Sequence, residues 1–224
     1  MRSEHRIVLG DLTTGRRIQF AALTARADGL SIGAVIANIE LARRRFTVDE
    51  YHRMARTGIL TEADRVELIE GEIIQLTPIG QRHAACVAQL TRRLIHALGD
   101  RALVWPRNPV RLPRDTEPQP DVTLLRPRPD DYFRHPANPE DVLLLIEVAD
   151  ISYRYDRGVK LPLYARAGVP EVWIIDLTHE VVEIHRQPGP RGYGSTHRVE
   201  RGGTLTPLAF DDVVLAAANI LPPT

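Results

Sequence analysis

The stretch "LLLIEVADISYRYDRGVK" (residues 143–160) decides how this chain folds. Leu143 to Ile146 are apolar without alternation, the pattern of a strand buried on both faces. Glu147 interrupts that run. A carboxylate placed inside such a strand needs a cationic partner or a metal, because burying it unpaired is costly. Downstream, "DRGVKLPLYARAG" reads as a helix closed by Gly168, and "EVWIIDL" as a second buried strand. Pro162 lies inside the helical stretch, so that helix starts late or is kinked. Strand, helix and strand in this order predict a crossover with parallel pairing.

Upstream, "FTVDEYHRMARTG" carries Thr47 and Glu50 at capping-box spacing and Gly58 as a stop. "RVELIEGEIIQLTP" alternates on both sides of a turn at Gly71 and predicts a hairpin. Glu67 and Glu70 of that hairpin read as solvated. Ala84, Val87, Leu90, Leu94 and Leu98 recur every three or four residues, a core-facing helix ended by Gly99. "ALVWPRNPVRLP" is a strand limited by Pro106 and Pro109, hence an edge. "QPDVTLLRP" is a short strand, and the proline-rich "RPRPDDYFRHPANPED" a surface loop. At the far end "VVEIHR", "GSTHRVE" and "TLTPLAF" read as short separate strands. The class is α/β, a central mixed sheet flanked by helices with an added hairpin before it and short strands after it. Residues 1–44 show no sustained period and read as a weakly ordered or peripheral extension. Residues 45–224 read as one domain, with "RRRFTVDEYHRMARTGIL" as its natural beginning.

Asp121 opens one strand and Glu147 lies near the end of the next, so neighbouring strands can bring both to one sheet margin. Two close carboxylates repel unless a cation lies between them. Mg²⁺ meets that need with two or three carboxylates and several waters, and Mn²⁺ can substitute. Glu72 is a candidate third oxygen ligand. Lys160 is the only lysine among 29 basic residues. Asp156, Lys160 and Tyr164 follow at intervals of four and share one helix face. The plain alternative is a surface Asp156–Lys160 pair worth ~0.3–0.5 kcal/mol. In a chain that uses arginine everywhere else, the lone ammonium favours a functional role, holding a nucleophilic water. His83 opens the long helix. A local hydrogen bond is its ordinary use, and contact with phosphate, proton or metal the functional one.

Taken together, "PD" at 120–121, "EV" at 147–148, a helical lysine and "YARAGVPEVWIID" resemble the Uma2 family of restriction-type endonucleases, within the PD-(D/E)XK nuclease superfamily. "ELIEGEIIQLTP" followed by His83 fits the same family, and the resemblance spans roughly residues 45–215. It implies a restriction-endonuclease-like core and Mg²⁺-dependent hydrolysis of phosphodiester bonds in DNA. Asp121 and Glu147 match the acidic positions. The superfamily lysine would stand two residues after the glutamate, where this chain has Ala149, and Lys160 looks like that residue moved to the next helix. Lys160 would then position the attacking water and help deprotonate it. A catalytically silent relative that binds DNA or a protein partner is the alternative, and a structure-specific nuclease or RNase a third reading.

Formal net charge is zero, with 29 acidic residues against the 29 basic ones. That argues against a protein held to nucleic acid mainly by its overall field and leaves room for a local basic groove. One cysteine, Cys86, excludes an internal disulfide and a thiolate metal site and fits a reducing cytoplasm. No apolar run reaches the ~20 residues that span a bilayer. Cutting both strands of a duplex would call for two centres, hence a homodimer.

Overall fold

The computed structural model describes residues 43–61 and 63–221. The extension expected at residues 1–44 therefore lies almost wholly outside the described residues. In chain order the elements are α1 (Val48–Arg56), the hairpin β1 (Val66–Ile69) and β2 (Glu72–Gln75), α2 (Gln81–Leu98), β3 (Leu103–Pro106), β4 (Val122–Leu125) and β5 (Val142–Ala149). Then come α3 (Tyr153–Tyr155), a π-helical turn (Asp156–Lys160), α4 (Leu161–Ala167), β6 (Glu171–Asp176), β7 (Val181–Gly189), β8 (Gly192–Glu200), β9 (Thr204–Leu205) and β10 (Leu215–Ala216).

Six strands form one mixed sheet in the order β3-β4-β5-β6-β7-β8. Within this sheet, only β5 and β6 run parallel among the described residues, with Leu145 opposite Val172 and Ala149 opposite Asp176. The helical segment between them is the crossover that a parallel pair requires. Period-two geometry sorts the side chains of these strands. Leu144, Ile146 and Val148 join Trp173 and Ile175 beneath Val87, Leu90 and Leu94 of α2. Leu145 and Ala149 join Val172 and Ile174 beneath Leu163 and Tyr164 of α4. The long helix thus covers one face and the crossover the other, and Glu147 belongs to the crossover face. Leu90 and Leu94 are fully buried, and each such side chain contributes ~1.5–3 kcal/mol of transfer free energy.

Local chemistry explains the ends of the elements. Thr47 and Glu50 form the reciprocal capping box of α1. The two-residue turn between β1 and β2 has positive φ at both Glu70 (47°) and Gly71 (80°), the twist a tight hairpin needs. A Cβ at Gly71 would lie 2.7 Å from Cβ of Arg45, so the close approach of that chain also demands glycine. Pro162 falls in the first turn of α4, directly after the π-helical turn. The helix therefore widens just where proline removes a donor and crowds the preceding turn.

The later part of the chain departs from expectation. "VVEIHR" and "GSTHRVE" are not a separate small group. They belong to nine-residue strands, β7 and β8, which pair with each other and complete the central sheet. Pro188, Gly189, Gly192 and Gly194 punctuate the sequence, yet this hairpin lies at the sheet edge, where missing donors and absent side chains are tolerated. "TLTPLAF" contributes only the two residues of β9. Among the described residues no helix is long and apolar enough to cross a membrane.

Candidate active site

The last registered pair of β4 and β5 is Val122 with Ile146. One step further β4 has ended, while β5 continues through Glu147 and Val148. The amide of Val148 thus has no strand partner on that side, and a buried amide must find an acceptor. Asp121 supplies it: Oδ2 accepts from the Val148 N–H at 2.9 Å. The same oxygen lies 2.9 Å from Nε2 of His83, in the first turn of α2. Sequence reasoning favoured a local hydrogen bond for His83; its partner instead lies 38 positions away.

Glu147 meets two residues of the crossover face. Its Oε1 accepts from Tyr164 Oη at 2.5 Å and lies 3.0 Å from Lys160 Nζ. Lys160 also reaches Oε2 of Glu67, at 3.3 Å. Glu67 is held in turn by Tyr155 Oη at 2.8 Å and the Gln119 amide at 3.1 Å. Asp156 accepts from Ser152 Oγ at 2.6 Å.

Burial and excess negative charge set the protonation of this cluster. Burial pushes Glu147 up to about 8, against the pull of Lys160 and with the repulsion of Asp156 and Asp121. Asp156 rises to about 6 for the same first reason, with Lys160 opposing it. Burial alone would lower the Lys160 ammonium, but Glu147, Glu67 and Asp156 outweigh it and hold the group above its ordinary value. Lys160 therefore stays charged at neutral pH. As an ammonium it presents a hydrogen-bonding cation to the cavity.

A cavity of about 400 Å³ opens over the cluster, and Asp121, Glu147, Lys160, Asp156 and His83 all line it. The far-apart residues singled out in the sequence are thus brought to one place. Tyr164 stands behind them as the buried donor to Glu147. Glu72 does not join. It is half-exposed on the hairpin, 3.9 Å from Arg45 Nη2, and does not line the cavity. The expectation of Glu72 as a third metal ligand is therefore corrected. Glu67 was missed: the alternating hairpin pattern placed it in solvent, but it is fully buried. The lone lysine was the available signal, since an ammonium this deep needs more than one counter-charge.

The donor set suits a hard divalent cation in one respect and limits it in another. Asp121 Oδ1 and Glu147 Oε2 carry no hydrogen bond among the described residues, while their partner oxygens are fixed. Two carboxylates with waters are enough for Mg²⁺. No group of three or more His, Cys, Asp or Glu side chains is placed to hold a metal among the described residues. Any further ligands would come from water or substrate oxygens.

Residues 48–218 match the family model described as "Uma2: Putative restriction endonuclease". No curated protein matches the chain. Among solved structures, a crystal structure titled as a "putative nuclease belonging to DUF820" from Anabaena variabilis ATCC 29413 superposes with a TM-score of 0.61. It shares 17% identity, over 78% of this chain and 97% of that one, a likeness of fold.

Proposed function

The chain belongs to the Uma2 family of restriction-type endonucleases, and from that premise we propose that its cavity hydrolyses phosphodiester bonds in DNA with the help of Mg²⁺. The observation that carries this reading is the convergence of Asp121, Glu147 and Lys160 on one cavity whose carboxylates outnumber its cations. Asp121 and Glu147 would hold the ion through the oxygens left unbonded, and Mn²⁺ fits the same donors. Bound there, the ion supplies Lewis-acid stabilisation of phosphate oxygens and an acidified water.

The chain's own residues do the rest. His83 and the Val148 amide fix the rotamer of Asp121, and Tyr164 fixes that of Glu147. Glu67 and Tyr155 steer the Lys160 ammonium toward the cavity. There its charge orients the attacking water and offsets the charge that develops on phosphorus-bound oxygens. Double-strand cutting would use two such cavities in a homodimer.

Plasmid nicking with Mg²⁺ tests the reading, with EDTA and Asp121→Ala as controls. Each control should remove activity, Asp121→Ala by about 10³-fold. Cleavage that survives both defeats the proposal. One observation favours a silent, binding-only relative: the lack of a third metal-binding side chain among the described residues. No cleavage of plasmid, single-stranded or bubble DNA by the wild type under Mg²⁺ or Mn²⁺ would decide for it.

A further inference from the structure

Three properties of the cavity exceed what a scissile phosphate requires. The first is depth. Glu147 and Lys160 are 2% and 4% exposed, while the side chains of Asp121 and His83 are each 14% exposed. A phosphodiester flanked by rigid paired neighbours meets the outer pair before the inner one. The second is the wall. Leu76, Pro78 and Ile79, from the segment between β2 and α2, face the cavity with Ile151 from the turn after β5. Ile151 is 77% exposed at that mouth. An acidic floor needs no apolar wall to hold a phosphate. Apolar walls cover nucleobase faces, and in a duplex those faces are already stacked on one another.

The third is Arg107. It is exposed and lines the cavity. Its φ of 55° is left-handed, a conformation rarely kept by non-glycine residues except where the surroundings enforce it. The enforcement is visible: the Arg107 amide donates to the Asp121 carbonyl at 3.1 Å, and Asn108 Nδ2 donates to the Pro106 carbonyl at 2.8 Å. Arg107 is the one left-handed non-glycine residue that lines this cavity among the described residues. Its guanidinium has no hydrogen bond or ion pair among them, although the floor beside it is acidic.

We infer that the cavity takes an unpaired strand of nucleic acid, with a base against Ile79 and Ile151 and a flanking phosphate on Arg107. The inference rests on the nuclease reading of the same cavity and names its substrate: single strands, flaps or bubbles rather than continuous duplex. Arg107 restores positive charge at the mouth, where a strand must pass a carboxylate-rich floor.

Binding and cleavage separate this inference from the nuclease reading. Fluorescence anisotropy of the full chain, with Ca²⁺ present, compares a labelled single strand, its duplex and the duplex with a central bubble. The single strand and bubble should bind about tenfold more tightly than the duplex, the worth of covering one base. Ile151→Asn and Arg107→Ala should each weaken single-strand binding several-fold and abolish most of that preference. Equal or tighter binding of duplex, or Ile151→Asn binding like the wild type, overturns the inference. Strand preference without cleavage under Mg²⁺ would sink the nuclease reading alone. Cleavage of all three substrates at one rate, with no binding preference, would sink this inference alone.

Discussion

Glu147 and Glu171 are both buried glutamates on the two central parallel strands, and they live in opposite circumstances. Glu171, at the start of β6, has every oxygen engaged. Oε1 accepts from Trp173 Nε1 at 3.0 Å and Arg186 Nε at 2.7 Å, and Oε2 from the Leu208 amide at 2.6 Å. Glu147, near the end of β5, has one oxygen doubly engaged and the other open to a cavity. Burial is common to both. What separates them is unused bonding capacity beside space for a ligand. The first is a satisfied part of the fold; the second keeps an acceptor in reserve, at a cost in repulsion from Asp121 and Asp156.

The sharpest way to break that comparison is to remove each carboxylate in turn. Glu171→Ala should cost about 3–5 kcal/mol in chemical denaturation, because Trp173 and Leu208 lose their acceptor and Arg186 its counter-charge. Activity per folded molecule should hold. Glu147→Gln should do the reverse, lowering nicking by about 10²–10³-fold while Tm holds or rises. Matching losses of stability from both would erase the distinction.

A smaller effect lies in pH. Glu147 and Asp156 are raised in the folded protein, to about 8 and about 6. A raised carboxylate binds its proton more tightly folded than unfolded. Its contribution to stability is full below the unfolded carboxylate range and is lost as pH climbs through the folded value. In EDTA, wild-type Tm should therefore fall relative to Glu147→Gln between about pH 5 and pH 9. A Tm difference that ignores pH would remove the ground for a raised, ligand-ready carboxyl at Glu147. The smallest effect concerns Trp173→Phe, which removes one of the donors to Glu171 and leaves a small cavity where a fully buried indole stood, and it should cost about 2 kcal/mol without changing activity.

Legibility in the sequence followed the same division. Elements that repeat a simple pattern were readable: the three-and-four spacing of α2, the capping box at Thr47, the hairpin at Gly71 and the crossover around Lys160. Elements whose environment comes from distant chain were not. Glu67 sits in an alternating strand, where an acid normally faces water, and it is buried because Tyr155 and Lys160, roughly ninety positions on, cover it. The length of β7 and β8 was hidden by proline and glycine, which an edge hairpin tolerates. Asp156 and Lys160 read as one ordinary helical face, but a π-helical turn carries both. Asp121, Glu147 and Lys160 could be named because a proline, an unbroken apolar run and a unique lysine each mark a departure from local pattern. Glu72 was misplaced because its position in the chain says nothing of the direction the hairpin tip takes.

The widened turn at Asp156–Lys160 has a consequence for how such a site can change over generations. A π-helical turn holds one more residue than the α-helix around it, so it can absorb an insertion or a deletion without disturbing the strands it joins. The ammonium is thereby mounted on an adjustable part, while Asp121 and Glu147 are mounted on a fixed one. Ala149, two residues beyond Glu147 on the same sheet face, is fully buried and small. A sidechain-poor strand position and a length-tolerant helix together describe how a cation could be handed from one element to another with the carboxylates left where they were.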